Sequence, residues 1–200
     1  MSQAPSPIGA VCVFCGSASG RDPAHVENAA ALGRELAQAG VTLVYGGGGV
    51  GLMGCAARAA LAAGGRVVGV IPRFLQTPEL ALAEAELVPV ASMHERKAEM
   101  FARADAFAVL PGGVGTLEEV IELLSWARLN LHRKPVVFLN AAGYWTPLFD
   151  LIAHTIGEGF TPAAFGALWR GVERAEDVLP ALRTMADDTA RAGQAPLDLL

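Results

Sequence analysis

The 200-residue chain has 15 Lys and Arg against 20 Asp and Glu, a formal net charge of −5, and 52% hydrophobic residues. Its length predicts one domain with a sizeable core, and its acidic balance argues against nucleic-acid binding. No apolar run is long enough for a membrane span, no signal-peptide pattern is present and the three cysteines imply no disulfide framework, so a cytoplasmic protein is expected. Residues 1–8 and 191–200 are predicted to be flexible tails around a domain of residues 9–190.

The first predicted strand, Ala10–Phe14, leads into a loop of small residues. Ser17 lies just beyond the carboxyl end of this strand, where α/β sheets bind ligands, and is therefore a candidate ligand residue. Cys12 and Cys15 form a C-x-x-C, but no second pair supplies further zinc ligands. These two cysteines and Cys55 are predicted to be small buried residues, and no metal site is predicted.

The next predicted elements are a helix from Pro23 to Ala39 and a strand over Thr42–Tyr45. Asp22 is placed to cap the helix at its start, and Gly40 is placed to end it. The apolar spacing predicts a buried helix face, which comprises Ala29, Leu32, Leu36 and Ala39.

A glycine-rich loop follows this second strand and opens a helix that is predicted to reach about Ala63. It contains a formal G-x-G-x-x-G at Gly49, Gly51 and Gly54, which is a weak indication of a dinucleotide site. The next strand, Arg66–Ile71, is not followed by the acidic residue that a cofactor ribose requires. The loop is therefore interpreted as a close helix–strand turn that lines a cleft, and no NAD or FAD is predicted.

The segment Gln76–Glu86 is predicted to be a partly exposed crossover, followed by a short strand over Leu87–Val90. A helix then begins with a capping box formed by Ser92 and Glu95. Arg96 and Lys97 lie on this helix. They either bind a phosphate or ribose through paired hydrogen bonds or form a solvated surface pair, and the pattern leaves both interpretations open.

The stretch from Pro111 to Glu119 lies between a buried strand, Ala106–Leu110, and an amphipathic helix. Its glycines allow a sharp turn and close approach to a ligand, and the free N–H groups of the helix start favour a phosphate. Thr116 is placed to cap the helix or to contact that phosphate. A carboxylate at Glu118 or Glu119 lies roughly 4–5 Å further along the axis. This combination suggests chemistry on a nucleotide's ribose, although the helix dipole alone also favours glutamate there.

The remaining pattern alternates strands and helices. The apolar face of the helix that follows the glycine motif is predicted to comprise Leu117, Val120, Ile121 and Leu124. That helix is predicted to reach about Leu129, and a strand over Val136–Leu139 and a helix from about Tyr144 to Glu158 are predicted to follow. The last predicted elements are a strand within Leu168–Val172 and a helix from Glu173 to about Ala190, which breaks or restarts near Pro180. This alternation predicts a single-domain α/β fold with a doubly wound, mostly parallel sheet flanked by helices. The loops at residues 16–20, 46–51 and 112–115 all follow strands and can converge on one cleft.

The motifs together resemble the LOG family, whose named members are cytokinin riboside 5′-monophosphate phosphoribohydrolases. Residues 111–119 match the family signature P-G-G-x-G-T-x-x-E, and residues 93–97 match its second signature. Residues 13–17, 45–48, 51–54 and 69–72 match supporting motifs in the family's order. The resemblance covers about residues 10–185, which is nearly the whole chain.

The resemblance implies a Rossmann-like fold, a homodimer and no metal or redox cofactor. It implies hydrolysis of the N-glycosidic bond of a purine nucleoside 5′-monophosphate, AMP or N6-isopentenyl-AMP, to free base and ribose 5-phosphate. Adenine, N6-prenylated adenine and another purine all stay open as the base. The alternatives are an AMP nucleosidase of salvage and a non-catalytic binder of nucleotide-type ligands such as the molybdenum cofactor. A lysine decarboxylase is not supported, because no Lys occurs in a recognisable cofactor-anchoring context.

The resemblance places the catalytic pair at Arg96 and Glu119, with Glu118 as the rival carboxylate. Substrate-binding residues are expected from the loops and the resemblance together, and they are Ser17, Gly47, Glu79, Met93, Lys97, Gly112, Gly113, Val114, Gly115, Thr116, Leu117, Glu118 and Ser125. The chain departs from the family pattern at three positions, where Ala18 replaces Ser, Val114 replaces Tyr and Ser125 replaces Thr. The crossover at residues 76–86 is less typical and is expected to border the base pocket.

Overall fold

A seven-stranded sheet with the order β4-β3-β2-β1-β5-β6-β7 forms the centre of the computed structural model, which describes residues 8–77 and 80–192. The strands are β1 (Ala10–Phe14), β2 (Thr42–Tyr45), β3 (Val67–Pro72), β4 (Glu86–Val90), β5 (Ala106–Val109), β6 (Val136–Leu139) and β7 (Arg170–Val172). The helices are α1 (Pro23–Gln38), α2 (Gly51–Ala62), α3 (Met93–Arg103), α4 (Val114–Arg128), α5 (Thr146–Gly157) and α6 (Val178–Ala192).

Every strand pair described in this sheet is parallel, and the strand order reverses between β1 and β5. The predicted doubly wound α/β fold of Rossmann-like type is therefore confirmed. Such a reversal leaves a crevice at the carboxyl ends of the two strands, because their following connections run to opposite sides. The loops after β1 and β5 meet at this crevice.

Alternating side chains of the strands enter two apolar clusters, one on each face of the sheet. Val11 and Val13 of β1 join the cluster that α1, α2 and α6 cover. Cys12 and Phe14 point to the opposite face, where α3, α4 and residues around α5 pack. Since α3 and α4 lie on the same face beside the crevice, their side chains can meet across the gap between the two helices.

Most predicted elements are confirmed to within a few residues, and the differences have local causes. Ala39 is exposed rather than buried, because α1 ends at Gln38 and Ala39 caps it. Ile121 is 44% exposed, whereas Leu123 is buried, because α4 presents the face of Val120 and Leu123 to the sheet.

The C-terminal helix is preceded by a short 3₁₀ turn, Ala175–Asp177. Pro180 lies in the first turn of α6. Backbone N–H groups in a first turn have no acceptor within the helix, so a proline there costs no hydrogen bond. Residues 1–7 and 193–200 of the predicted tails lie outside the described residues, whereas Ile8 is buried and Arg191 belongs to α6. No helix of the described chain has both the length and the apolar character needed to cross a membrane.

Candidate active site

The loops after β1, β2 and β5 converge on one cavity of about 430 Å³ at the carboxyl edge of the sheet. Ser17, Gly46 and Gly113 each bring one of these loops to its wall. The predicted convergence of the three loops is therefore confirmed. The cavity also receives Arg96 from α3 and Glu119 from α4.

Backbone hydrogen bonds hold these loops together. The N–H of Gly16 donates to the carbonyl of Pro111 at 3.0 Å, and the N–H of Leu52 donates to the carbonyl of Gly16 at 3.1 Å. Gly51 has a φ of +58°, and a Cβ there would lie 2.3 Å from the Ser17 carbonyl group. Glycine is therefore required at the start of α2, as the interpretation of this loop as a close helix–strand turn predicts.

The first turn of α4 forms one end of the cavity. The helix begins at Val114 with Gly113 as its N-cap and without a side-chain cap, so of the two roles predicted for Thr116 the cap is wrong and the phosphate contact stays a prediction. Thr116 lies inside the first turn, 4% exposed, with its side chain against Gly112. The N–H groups of this turn have no intrahelical acceptor, and the helix dipole adds positive potential. This end of the cavity is therefore suited to an anion.

Arg96 and Glu119 form an ion pair at the cavity wall. Nη1 of Arg96 lies 3.1 Å from Oε1 of Glu119, and the two side chains are only 11% and 10% exposed. The open alternative of a solvated surface pair is therefore excluded for Arg96. Thr116 and Glu119 line the same cavity, as their separation of one helical turn predicts.

Two carbonyl groups complete the environment of the Arg96 guanidinium. Nε donates to the carbonyl of Val70 at 3.3 Å, and Nη2 donates to the carbonyl of Gly46 at 3.5 Å. A Cβ on residue 46 would lie 1.8 Å from Nη2. The absence of a side chain at Gly46 therefore makes room for the guanidinium. Sequence reasoning selected Gly47 instead, because nothing in a run of four glycines distinguishes them.

The pKa of the Glu119 carboxyl is raised from 4.5 to about 7. Burial is the largest cause, because it disfavours the charged form. Arg96 opposes this shift, and the charge of Glu118 adds to it. Glu119 therefore titrates near neutral pH.

The rival carboxylate, Glu118, points away from the cavity. Its side chain is 55% exposed and pairs with Nζ of Lys97, which also lies 2.8 Å from Oε2 of Glu122. Neither Glu118 nor Lys97 lines the cavity. Of the two candidate carboxylates, Glu119 is thus the one that faces the cavity.

The predicted site residues divide into two groups. Those that line the cavity are Ser17, Arg96, Gly113, Val114, Gly115, Thr116 and Glu119. Those that do not line it are Gly47, Met93, Lys97, Gly112, Leu117, Glu118 and Ser125. Gly47 packs on Ile71, and the Ser125 hydroxyl donates to the carbonyl of Ile121 within α4. Glu79 lies outside the described residues.

An apolar wall of the cavity was missed by sequence reasoning. Its side chains come from α2, β3, α3 and the loops beside them, and they are Val50, Met53, Ile71, Leu75, Leu80 and Met100. The crossover reaches this wall because the N–H of Gly49 donates to the carbonyl of Leu80 at 2.7 Å. Leu80 of the crossover therefore lines the cavity, and the expectation that the base binds beside the crossover stays a prediction. Among the described residues, no group of three or more His, Cys, Asp or Glu is placed to hold a metal ion.

Comparisons with known proteins give consistent matches. A family model described as possible lysine decarboxylase matches residues 53–182. The chain is 48% identical over 161 residues to a cytokinin riboside 5′-monophosphate phosphoribohydrolase of Arabidopsis thaliana, covering 80% of this chain and 74% of that protein. It is also 48% identical over 151 residues to a cytokinin riboside 5′-monophosphate phosphoribohydrolase from Oryza sativa subsp. japonica. That match covers 75% of this chain and 62% of the rice protein.

Solved structures resemble this chain in fold. The Moco carrier protein from Chlamydomonas reinhardtii matches with a TM-score of 0.68, covering 91% of this chain and 99% of that chain. The sequence identity of that match is 20%. At this identity the likeness concerns the fold alone.

Proposed function

This chain belongs to the family of the cytokinin riboside 5′-monophosphate phosphoribohydrolases, and we propose that it hydrolyses the N-glycosidic bond of a purine nucleoside 5′-monophosphate to free base and ribose 5-phosphate. One observation supports this reaction above others. An anion-binding helix start and a buried carboxylate, Glu119, lie one helical turn apart and face the same cavity. This is the separation that a phosphate and the anomeric carbon of one ribose require.

The substrate phosphate would bind at the first turn of α4. The N–H groups of Val114, Gly115 and Thr116 supply donors there, and Ser17 adds a hydroxyl from the loop after β1. Binding energy from this phosphate would hold the ribose in place for the reaction. Nucleosides without the phosphate should therefore react poorly.

Cleavage of the N-glycosidic bond develops positive charge on the ribose. An ionised Glu119 would stabilise this oxocarbenium-like state or orient the attacking water. Arg96 would hold the carboxylate in place, since one of its nitrogens pairs with Glu119 while two others are bound to the carbonyls of Val70 and Gly46. Its remaining N–H groups would be available to the substrate.

The activity is expected to depend on pH through Glu119. Because the ionised carboxylate is the active form and its pKa is raised to about 7 in the free protein, kcat/KM should fall as pH drops below 7 and level off above pH 8. The measurement is kcat/KM between pH 5.5 and 9. A rate that declines as pH rises through 7 would contradict the assignment, because the protonated carboxyl would then be the active form.

We infer that N6-prenylated adenine nucleotides are preferred over AMP. The apolar wall formed by Met53, Leu75 and Leu80 offers an isoprenyl chain a surface to bury against, and each buried CH₂ contributes about 0.8 kcal/mol. AMP has no such chain to bury against this wall. The cavity thus favours hormone activation over salvage.

The test is the release of free base from AMP and from N6-isopentenyl-AMP, measured by chromatography, with the matching nucleosides as controls. Release from a monophosphate but not from its nucleoside would support a phosphoribohydrolase, and a higher kcat/KM for the prenylated substrate would support cytokinin activation. No base from either substrate, together with tight AMP binding by calorimetry, would instead indicate a non-catalytic carrier.

The description possible lysine decarboxylase does not suit this cavity. The chain has two lysines, Lys97 and Lys134. Lys97 is paired with two glutamates, and Nζ of Lys134 donates to the carbonyl of Phe101 at 2.7 Å. Neither lysine lines the cavity, so neither is placed to anchor a cofactor through a Schiff base there.

We also propose that the protein is a cytoplasmic homodimer. Ile121, Leu129 and Leu131 on and after α4 are 44%, 55% and 67% exposed, and such apolar surface suits contact with a second copy. The odd number of cysteines and the burial of Cys12 and Cys15 suit a reducing compartment. Light scattering after size-exclusion chromatography gives the oligomeric state directly.

A further inference from the structure

Lys97 of α3 lies between two carboxylates of α4. Its Nζ pairs with Oε1 of Glu118 and lies 2.8 Å from Oε2 of Glu122, and its side chain is 15% exposed. Glu118 and Glu122 are four residues apart, so they lie on adjacent turns of the same helix face. Burial lowers the pKa of Lys97, but the hydrogen bonds that its ammonium group donates to both carboxylates outweigh this effect and raise the pKa. Lys97 is therefore held as a cation.

This cluster stands directly beside the ion pair of the cavity. Lys97 follows Arg96 on α3, and Glu118 precedes Glu119 on α4, so the two sets of contacts cross the same gap between the helices. Phe107, Trp126 and Glu122 surround a narrow space of about 10 Å³ that Lys97 and Glu119 share. The space is too small for substrate, and its aromatic walls leave little room for water.

From this arrangement we propose that Glu122, with Glu118, acts as a positioning residue that holds Lys97. This contact fixes the orientation of α3 relative to α4, and Arg96 thereby meets Glu119 in the cavity. The inference rests on the proposed hydrolysis, in which that pair takes part. With a single carboxylate partner, the long lysine side chain could adopt several rotamers. Two carboxylates on adjacent turns set both the axial position and the rotation of α4 relative to α3.

A positioning role and a substrate-binding role of Lys97 predict different kinetics. A ligand of the phosphate or ribose would raise KM when it is removed, and Glu122 would then be unimportant. A positioning residue would lower kcat with little change in KM, because a displaced carboxylate weakens the transition state more than the bound substrate. A shift of about 1 Å in a catalytic group can reduce the rate by roughly 10²-fold.

The experiment compares Glu122→Gln, Lys97→Met and the double variant with the wild type, using N6-isopentenyl-AMP and, if turnover is higher, AMP. The matched control is Glu99→Gln, which removes a surface pair with Arg103 on the same helix α3. Glu122→Gln is expected to lower kcat roughly 10-fold and Lys97→Met 10- to 100-fold, with KM changed less than twofold. The double variant should be no worse than Lys97→Met, because both changes break one unit.

A second readout is independent of turnover. The charge of Lys97 lowers the pKa of Glu119, so release of this lysine in Glu122→Gln should raise the titration midpoint of the Glu119 carboxyl, whereas loss of the Glu122 charge alone would lower it. The titration is followed by ¹³C NMR. Two results would overturn the inference. One is an unchanged or lowered titration midpoint of Glu119 together with kinetics of Glu122→Gln that equal those of Glu99→Gln. The other is a rise in KM, without a fall in kcat, for Lys97→Met. If wild type and Glu99→Gln release no base, the proposed hydrolysis fails, and the NMR midpoint still decides whether Glu122 positions Lys97.

Discussion

Replacement of Glu119 by glutamine is expected to lower kcat for base release by roughly 10³-fold while the protein stays folded. Glutamine keeps the shape of the side chain and can still accept a hydrogen bond from Arg96, but it carries no negative charge for the developing oxocarbenium ion. The measurement is kcat with the preferred monophosphate, together with circular dichroism of both proteins. Near-normal turnover by Glu119→Gln would remove Glu119 from the mechanism.

The same substitution should change how stability depends on pH. Because burial raises the pKa of Glu119 from 4.5 to about 7, the folded wild type binds a proton in this range that the unfolded chain releases. The stabilisation from this proton is complete below pH 4.5 and is lost as pH rises through 7. The free energy of unfolding of the wild type should therefore fall relative to Glu119→Gln by about 3 kcal/mol between pH 4.5 and 8.

Glu118→Gln is the comparison that separates the two candidate carboxylates. Glu118 lies outside the cavity wall and is largely exposed. Its loss should therefore act through Lys97 and through the pKa of Glu119, which the charge of Glu118 helps to raise, and should cost far less than the loss of Glu119. A loss from Glu118→Gln as large as that from Glu119→Gln would contradict the assignment of Glu119 as the one catalytic carboxylate.

The second large effect is expected from Gly46→Ala. The new Cβ would lie 1.8 Å from Nη2 of Arg96 and 3.2 Å from Sδ of Met53, so the guanidinium must leave its place beside Glu119. Both atoms belong to flexible side chains, and the fold should therefore survive. We expect kcat/KM to fall roughly 10²-fold, close to the loss from Arg96→Met, since both changes remove the same ion pair.

The control for this prediction is Gly157→Ala at the end of α5, where a Cβ would meet no atom within 4 Å. This variant should keep wild-type activity. The double variant of Gly46→Ala and Arg96→Met should be no less active than Arg96→Met alone. Full activity of Gly46→Ala would show that the guanidinium can relocate without loss.

Much of the fold follows from local patterns in the chain. The buried runs of β1 and β6 are apolar over their whole length, so strands with both faces covered were expected at the bounds where they occur. Asp22 caps α1 and the side chain of Ser92 accepts from the N–H of Glu95, as the capping rules predict. These features are readable because each depends on residues only a few positions apart.

The glycine-rich start of α4 could also be predicted from the sequence, since a strand, three glycines and an amphipathic helix in succession leave few other arrangements. Sequence reasoning further brought Thr116 and a carboxylate into one helical turn. It did not decide between Glu118 and Glu119, because adjacent residues of a helix point in directions about 100° apart and only the helix's docking selects one of them.

The tertiary structure alone decided which distant groups meet. Arg96 joins Glu119, Val70 and Gly46, from which it is separated by 23, 26 and 50 residues. The placement of Lys97 between Glu118 and Glu122 is set in the same way. Hydrophobic periodicity states which face of each helix packs on the sheet but not how two helices are rotated against one another. That rotation determines which charged side chains are buried beside one another. It therefore also determines the raised pKa of Glu119 and the chemistry of the cavity.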